Sequence, residues 1–262
     1  MCNWSTGSQT KMSAEIIYPS NGDNPVIVVV GTGLIGQKTV QVAKIMMSTR
    51  LSSHVQFDWA DIKDVGTELN NRINDEIKAR NSQIEIIWCA GKGGFSATTE
   101  VMKKEFLAYQ DIVQNLFSSY HDKKTINLVS SAGGLYEGVE CIVDKDTRPF
   151  PVRPYGEWKL RQETMLEDMG VNYRIFRLST VYGLSRQGSR KGMLSVLISN
   201  TINNKPTCLH AFPDTLRDFV CVGDVARKIV ASAMQNEATD NAVILASGRS
   251  ISIQYLIQRV HR

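Results

Sequence analysis

The sequence predicts an α/β protein built on a doubly wound, mostly parallel sheet with a small, shortened C-terminal lobe. Three observations predict it. Five consecutive β-branched residues, Val26–Val30, suit a strand buried on both faces. The glycine-rich turn Gly31-Thr32-Gly33-Leu34-Ile35-Gly36 follows directly and opens a stretch of helical spacing. Short apolar runs then alternate with helical stretches as far as about Gly183, the pattern of strand–helix–strand units.

The elements follow in order. Residues 1–24 are polar, rich in Ser, Thr, Asn and Gly, and predict a flexible extension. Residues 25–183 form the main domain. After the first strand and turn, a helix runs from about Leu34 to Met47, and Val55–Phe57 is a short strand. Val65 to Ala79 is helical, with Leu69, Ile73 and Ile77 on one stripe. Ile84–Trp88 is a strand, Glu100–Tyr120 a helix, and Thr125–Val129 a strand that ends at Ser130-Ser131. Tyr155–Met169 is helical with Gly170 as its C-cap, and Tyr173–Leu178 is a strand. One element is missing from this pattern: a full doubly wound half has room for two strands between the first helix and Val65, and only one run qualifies. Residues 184–262 predict a smaller substrate lobe interleaved with the core. It holds helices at Met193–Asn203 and Val222–Met234, a strand at Ala242–Leu245 and a last helix at Ser252–Val260.

Composition narrows the classes. The net charge of +4, from 30 Lys+Arg against 26 Asp+Glu, is too mild and dispersed for a nucleic-acid surface. Five scattered cysteines without a Cys-x-x-Cys pair argue against a disulfide framework and against zinc, and no metal is expected. No apolar run has the length of a membrane span, and the N-terminus lacks an apolar signal core, so a reducing cytoplasm is the expected compartment.

Two motifs carry chemistry. In Gly-x-Gly-x-x-Gly after a strand and before a helix, Gly31 permits the tight turn, Gly33 lets a pyrophosphate approach the backbone, and Gly36 lets helix and strand pack closely. The amides of Leu34, Ile35 and Gly36 at the helix start then face the phosphates. A ribose-binding acid is expected about 20 or more residues on. Asp58 fits and favours NAD over NADP, with NADP possible because Arg50 is near in sequence; Asp61 and Ile62 are candidates beside the adenine. The second motif is Tyr155 and Lys159, which share a helix face at i and i+4. A lysine one turn from a tyrosine favours the phenolate, which suits acid–base work near neutral pH.

Together the glycine turn, Asn127-Leu128-Val129-Ser130-Ser131-Ala132, Pro154-Tyr155-Gly156-Glu157-Trp158-Lys159, Arg177-Leu178-Ser179-Thr180-Val181-Tyr182-Gly183 and Arg217-Asp218-Phe219-Val220 resemble the extended short-chain dehydrogenase/reductases. More narrowly they resemble the NAD-dependent epimerase/dehydratase family acting on nucleotide sugars, from about Val26 to Val260. The resemblance implies a Rossmann-like fold and a hydride exchanged between a sugar carbon and NAD. Tyr155 would move the proton at the sugar oxygen, Lys159 would bind the nicotinamide ribose, and Ser131 would bond the reacting oxygen, with Ser130 as runner-up beside the cofactor. It further implies that Cys89, Ala90 and Gly91 line the cofactor, that Arg217 binds a substrate diphosphate, and that Ser179 and Tyr136 lie near the substrate.

Departures matter too. Val30 holds the first glycine position of the extended pattern, and the residues after Ser131, Ala132-Gly133-Gly134-Leu135, lack the carboxylate of the family's dehydratases. Extended members usually continue beyond the equivalent of Arg262, so part of the substrate site is expected to be reduced or shared with a partner chain. An epimerase is favoured. A reductase of a keto-sugar or another carbonyl, and a non-catalytic nucleotide-binding protein, are the alternatives. The family implies a homodimer formed by the helices near Glu100–Tyr120 and Tyr155–Met169, for which Phe106, Val113 and Met165 are the apolar positions at hand.

Overall fold

A strand with no polar side chain has to be covered on both faces, and Val26–Val30 (β2) is fully buried as an interior strand of the sheet. The structure, a computed structural model, describes residues 11–20, 24–58, 62–184, 192–208, 211–235 and 242–260. Before β2 comes a strand at Lys11–Ile17 (β1). After it come α1 (Leu34–Met46), β3 (Ser52–Asp58), α2 (Ile62–Arg80), β4 (Ile84–Trp88), α3 (Thr99–Leu116), β5 (Lys124–Ser131) and a short α4 (Ala132–Leu135). Then follow α5 (Pro154–Met169), β6 (Asn172–Leu178), β7 (Thr180–Tyr182), α6 (Met193–Ile202), β8 (Leu216–Cys221), α7 (Val222–Gln235), β9 (Ala242–Leu245), β10 (Ser250–Ser252) and α8 (Ile253–Val260).

The seven-stranded sheet has the order β3-β1-β2-β4-β5-β6-β9. All its strands are parallel except β1, which runs antiparallel to both neighbours. Helices α2, α3 and α5 cover one face through Leu69, Ile73, Tyr109, Ile112, Val113 and Leu166. Helices α1 and α7 cover the other through Val42, Ala43, Ile229 and Val230. Buried Lys124 at the start of β5 donates to Asn70, Asn74 and the carbonyls of Leu116 and Ser119, tying α2 and the end of α3 to the sheet.

The expected flexible extension over 1–24 is corrected by β1, which is an interior strand of the sheet. Met12, Ala14 and Ile16 alternate into the core below α2, and Ile17 reaches the opposite core. Ser13 and Glu15 interrupt the apolar run, which is why the segment read as a polar tail. The strand missing from the sequence pattern is thus supplied from upstream of the glycine turn, not from between α1 and α2.

Residues after 184 divide between two places. Strand β9 pairs with β6 and extends the main sheet, and α7 lies on the α1 face. Strands β10, β8 and β7 form a small separate sheet. Val113 and Met165 are buried, and Phe106 packs on the same core, so the apolar positions that suggested a dimer surface serve the interior. No helix among the described residues is long and apolar enough to cross a membrane.

Candidate active site

The site forms where the parallel strands end. At the end of β2, Gly31 has φ +89°, which only glycine adopts freely, and a Cβ there would lie 2.5 Å from the Cα of Ala90. The turn therefore lies backbone to backbone against the end of β4. A Cβ on Gly36 would strike the Gly31 carbonyl oxygen. Gly33 caps α1 without a side-chain bond, and a Cβ on it would meet nothing within 4 Å. Uncapped amides of a helix first turn beneath open space suit an anion, so the turn fits a pyrophosphate. Buried Ala90, with Cys89 before it and exposed Gly91 after it, forms the facing wall.

Helix α5 begins with Pro154 at its first position and ends at Gly170, whose φ of +61° makes the left-handed cap. It carries half-buried Tyr155 in its first turn and buried Lys159 one turn on. The Lys159 ammonium donates to Gln162 Oε1 at 3.0 Å and reaches the Val129 carbonyl at 3.5 Å, which brings it to the end of β5. Burial pushes the Cys89 thiol up to about 12, against the smaller pull of the Thr39 bond and of the Lys159 charge. Lys159 thus lies within electrostatic reach of Cys89, which itself packs under the glycine turn.

Ser131 ends β5 and caps α4, its Oγ accepting from the Gly134 amide at 3.2 Å. A Cβ on Gly134 would sit 2.9 Å from the Tyr155 ring, and one on Gly156 would strike the Gly134 carbonyl. The two glycines let the serine turn and the first turn of α5 touch. Ser131, Tyr155 and Lys159 are therefore gathered around one strand end, next to the glycine turn.

Ser130 points the other way along the alternating strand. It donates to Glu163 Oε1 at 2.5 Å, and Glu163 also holds Arg177 at 2.6 Å. Arg177 in turn donates to the Tyr136 hydroxyl at 2.7 Å. Ser130, expected beside the cofactor, and Tyr136, expected near the sugar, are both buried with their hydroxyls engaged in this network. Arg177 is held inside this network by Glu163 and Tyr136.

Across the site, Ser179 donates to Asp218 at 2.7 Å. Burial alone would raise the Asp218 carboxyl, but bonds from Ser179, Ser247 and the Arg249 amide hold it below its ordinary range. Asp218 is thereby engaged away from its neighbour Arg217. The Arg217 guanidinium, half-buried on β8, makes no ion pair among the described residues.

The strand that carries Asp58, the acid expected beside the cofactor ribose, is not the lateral neighbour of the glycine strand. Strand β1 separates β3, and so the backbone of Asp58, from β2 and its glycine turn. The Asp58 side chain, Asp61 and the Ile62 side chain lie outside the described residues. Arg50 follows the C-terminal end of α1, opposite the glycine turn, and is remote from the phosphates.

Three residues escaped the sequence reading. Phe95 lies with its ring centroid 5.1 Å from that of Tyr155, under Arg153 at 5.8 Å. Glu105 on α3 accepts from the amides of Lys92 and Gly93, each at 2.7 Å, and pins the loop after β4. Gln162 orients Lys159. For the last, the i,i+3 spacing from Lys159 was a signal in the sequence; for Phe95 and Glu105 there was none, because the contacts join separate segments.

Comparison with known proteins bears on the family and the fold. The sequence model of the NAD dependent epimerase/dehydratase family matches residues 26–246. A Methanocaldococcus jannaschii protein named "Putative UDP-glucose 4-epimerase" is 29% identical over 143 residues, 52% of this chain and 46% of that protein, so the match spans about half the relative. Among solved structures, UDP-N-acetylglucosamine 4-epimerase from Bacillus cereus superposes with TM-score 0.68 at 17% identity, covering 88% of this chain and 78% of that one. The Thermus thermophilus UDP-glucose 4-epimerase, solved with NAD, gives 0.65 at 15% identity, covering 87% and 79%. The Thermotoga maritima UDP-glucose 4-epimerase, solved with UDP-glucose, gives 0.60 at 20% identity, covering 76% and 65%. At these identities the structural likeness concerns the fold.

Proposed function

The chain belongs to the NAD dependent epimerase/dehydratase family, and on that footing we propose that it is a nucleotide-sugar epimerase acting on a UDP-sugar. The single observation that carries the reading is the convergence of Ser131, Tyr155 and Lys159 on one strand end beside the glycine turn. The solved neighbours with UDP-glucose and with NAD support the choice of substrate class and cofactor.

The chain's own residues would act as follows. Gly31, Gly33 and the amides of Leu34, Ile35 and Gly36 hold the pyrophosphate of NAD, which when bound supplies hydride acceptance and return. Lys159 holds its nicotinamide ribose and sets a positive charge beside the phenol. Tyr155 takes the proton from the sugar hydroxyl and gives it back after the hydride returns to the other face. Ser131, whose Oγ accepts from Gly134, keeps its own proton for a bond to the reacting oxygen. Arg217, free of carboxylate partners among the described residues, takes the diphosphate through its guanidinium fork. Phe95, beside Tyr155, offers the sugar an apolar wall. Elimination of water would need a further acid and base. The nearest carboxylate after Ser131 is Glu137, and Arg153 holds it at 2.8 Å. That favours epimerisation over dehydration.

The test is to incubate the protein with NAD and UDP-glucose or UDP-N-acetylglucosamine and follow the sugar by proton NMR. The expected result is the 4-epimer with no net change in NADH absorbance. Tyr155→Phe should lower turnover by about 10²- to 10⁴-fold while the dinucleotide still binds. In a parallel reaction with NADPH and a 4-keto nucleotide sugar, stoichiometric NADPH oxidation with no epimer formed in the first would replace this reading with a reductase, and dinucleotide binding without turnover of any sugar nucleotide would replace it with a non-catalytic role.

A further inference from the structure

Resting on the dinucleotide reading of the glycine turn, we infer that the adenosine ribose of the cofactor is met by Ser13, near the head of the inserted strand, and Thr32 of the glycine turn, and that Asp58 takes no part in choosing between NAD and NADP. In a doubly wound sheet the ribose acid stands at the C-terminal end of the strand next to the glycine strand. Here that neighbouring position belongs to β1, which runs the opposite way, so an N-terminal strand end occupies the place of a C-terminal one.

The contacts fix β1 against the turn. The Gly31 amide donates to the Ser13 carbonyl at 2.7 Å, and Ser13 Oγ lies 2.5 Å from Thr32 Oγ1. Thr32 is the residue between the first two glycines. Two hydroxyls therefore stand at the glycine turn where a carboxylate is expected. Asp58 pairs across β1 with Lys11, two residues beyond Ser13. Its backbone is two strand spacings from β2, about 9.5 Å sideways, and about 7 Å further along the strand than Ser13. The one carboxylate on β1, Glu15, is turned to Lys44, Ser52 and His54.

The consequence is a change of selectivity. A carboxylate accepts bonds from ribose hydroxyls and repels a 2′-phosphate, whereas a hydroxyl donates to a phosphate as readily as it accepts from a ribose. The chain should bind NADH and NADPH with similar strength.

Fluorescence titration of the full chain with NADH and NADPH tests this without reference to turnover, with thermal unfolding confirming that each variant is folded. The wild-type constants should agree within about tenfold, and Asp58→Asn should change either by no more than about twofold. Ser13→Asp builds the missing acid and should weaken NADPH relative to NADH by about tenfold or more through charge repulsion. Ser13→Ala, which keeps the backbone bond, should weaken NADH by about two- to tenfold. A wild-type preference for NADH beyond about a hundredfold that Asp58→Asn abolishes overturns the inference and leaves the proposed function standing. Failure of Ser13→Asp to shift the NADPH-to-NADH ratio also overturns it. If the folded wild type binds neither dinucleotide, the cofactor reading falls and the inference falls with it.

Discussion

The two sides of β2 are built differently. On one side β4, β5, β6 and β9 run parallel, and their ends carry Ala90, Ser131 and the contacts to Tyr155 and Lys159. On the other side β1 breaks the parallel run and pushes β3 one place outward. The parallel side holds the arrangement on which the proposed proton transfer would depend, while the antiparallel side alters what the adenosine end of the proposed cofactor would meet. A doubly wound sheet can therefore change one binding edge without disturbing the other, because each strand end contacts only its lateral neighbours.

The same contrast shows in two carboxylates on the α1 face of the sheet. On the parallel side Glu85, Asn127 and Arg174 form a buried cluster across β4, β5 and β6, with Glu85 and Arg174 2.9 Å apart. Burial outweighs the Arg174 cation and the Asn127 bond and pushes Glu85 from 4.5 up to about 7. Between those values the folded chain keeps a proton that the unfolded chain has released, so this group's contribution to stability falls as pH rises from 4.5 through about 7. On the antiparallel side burial alone would raise Glu15, but bonds from Lys44, Ser52 and His54 hold it below its ordinary value. Its contribution is present above the unfolded value and is lost as pH falls through the folded one.

The contrast can be broken by substitution. Arg174→Met strips the cluster of its cation and should cost about 3–5 kcal/mol at pH 8. The loss should be smaller at pH 5, where Glu85 holds its proton; urea unfolding at the two pH values reads the difference, and an equal loss at both would refute the assigned titration. Gly134→Ala drives a methyl against the Tyr155 ring and should lower kcat by about ten- to a hundredfold. Dinucleotide affinity should be unchanged on both sides, and a parallel loss of affinity would mean that the serine turn also supports the cofactor. Arg217→Ala should weaken UDP-sugar binding by about tenfold or more, read by calorimetry, again with the dinucleotide unaffected. The smallest effect belongs to Glu15→Gln, at about 1 kcal/mol or less after solvent screening. It should lower stability by that amount above pH 5 and hardly at all at low pH, so the acid limb of the pH–stability profile flattens.

Much of the parallel side was legible before folding. A strand of β-branched residues, a turn that needs glycine at Gly31, a tyrosine and lysine one helical turn apart and a glycine cap at Gly170 are demands made within a few residues of chain. Strand β9 fell at Ala242–Leu245, where the apolar run placed it. The network of Ser130, Glu163, Arg177 and Tyr136 was not legible, since its members come from a strand end, a helix, a second strand and a turn. Without it Ser130 and Tyr136 looked equally fit for the site.

Read as a linear text, the chain told which segments become strands and helices around the glycine bend and which side chains share the face of α5, because backbone geometry and helical periodicity act locally. Which strand lies beside β2 was settled only in three dimensions. Lateral pairing is decided by where Met12, Ala14 and Ile16 can be buried together with the rest of the core, and nothing within β1 itself records that neighbour.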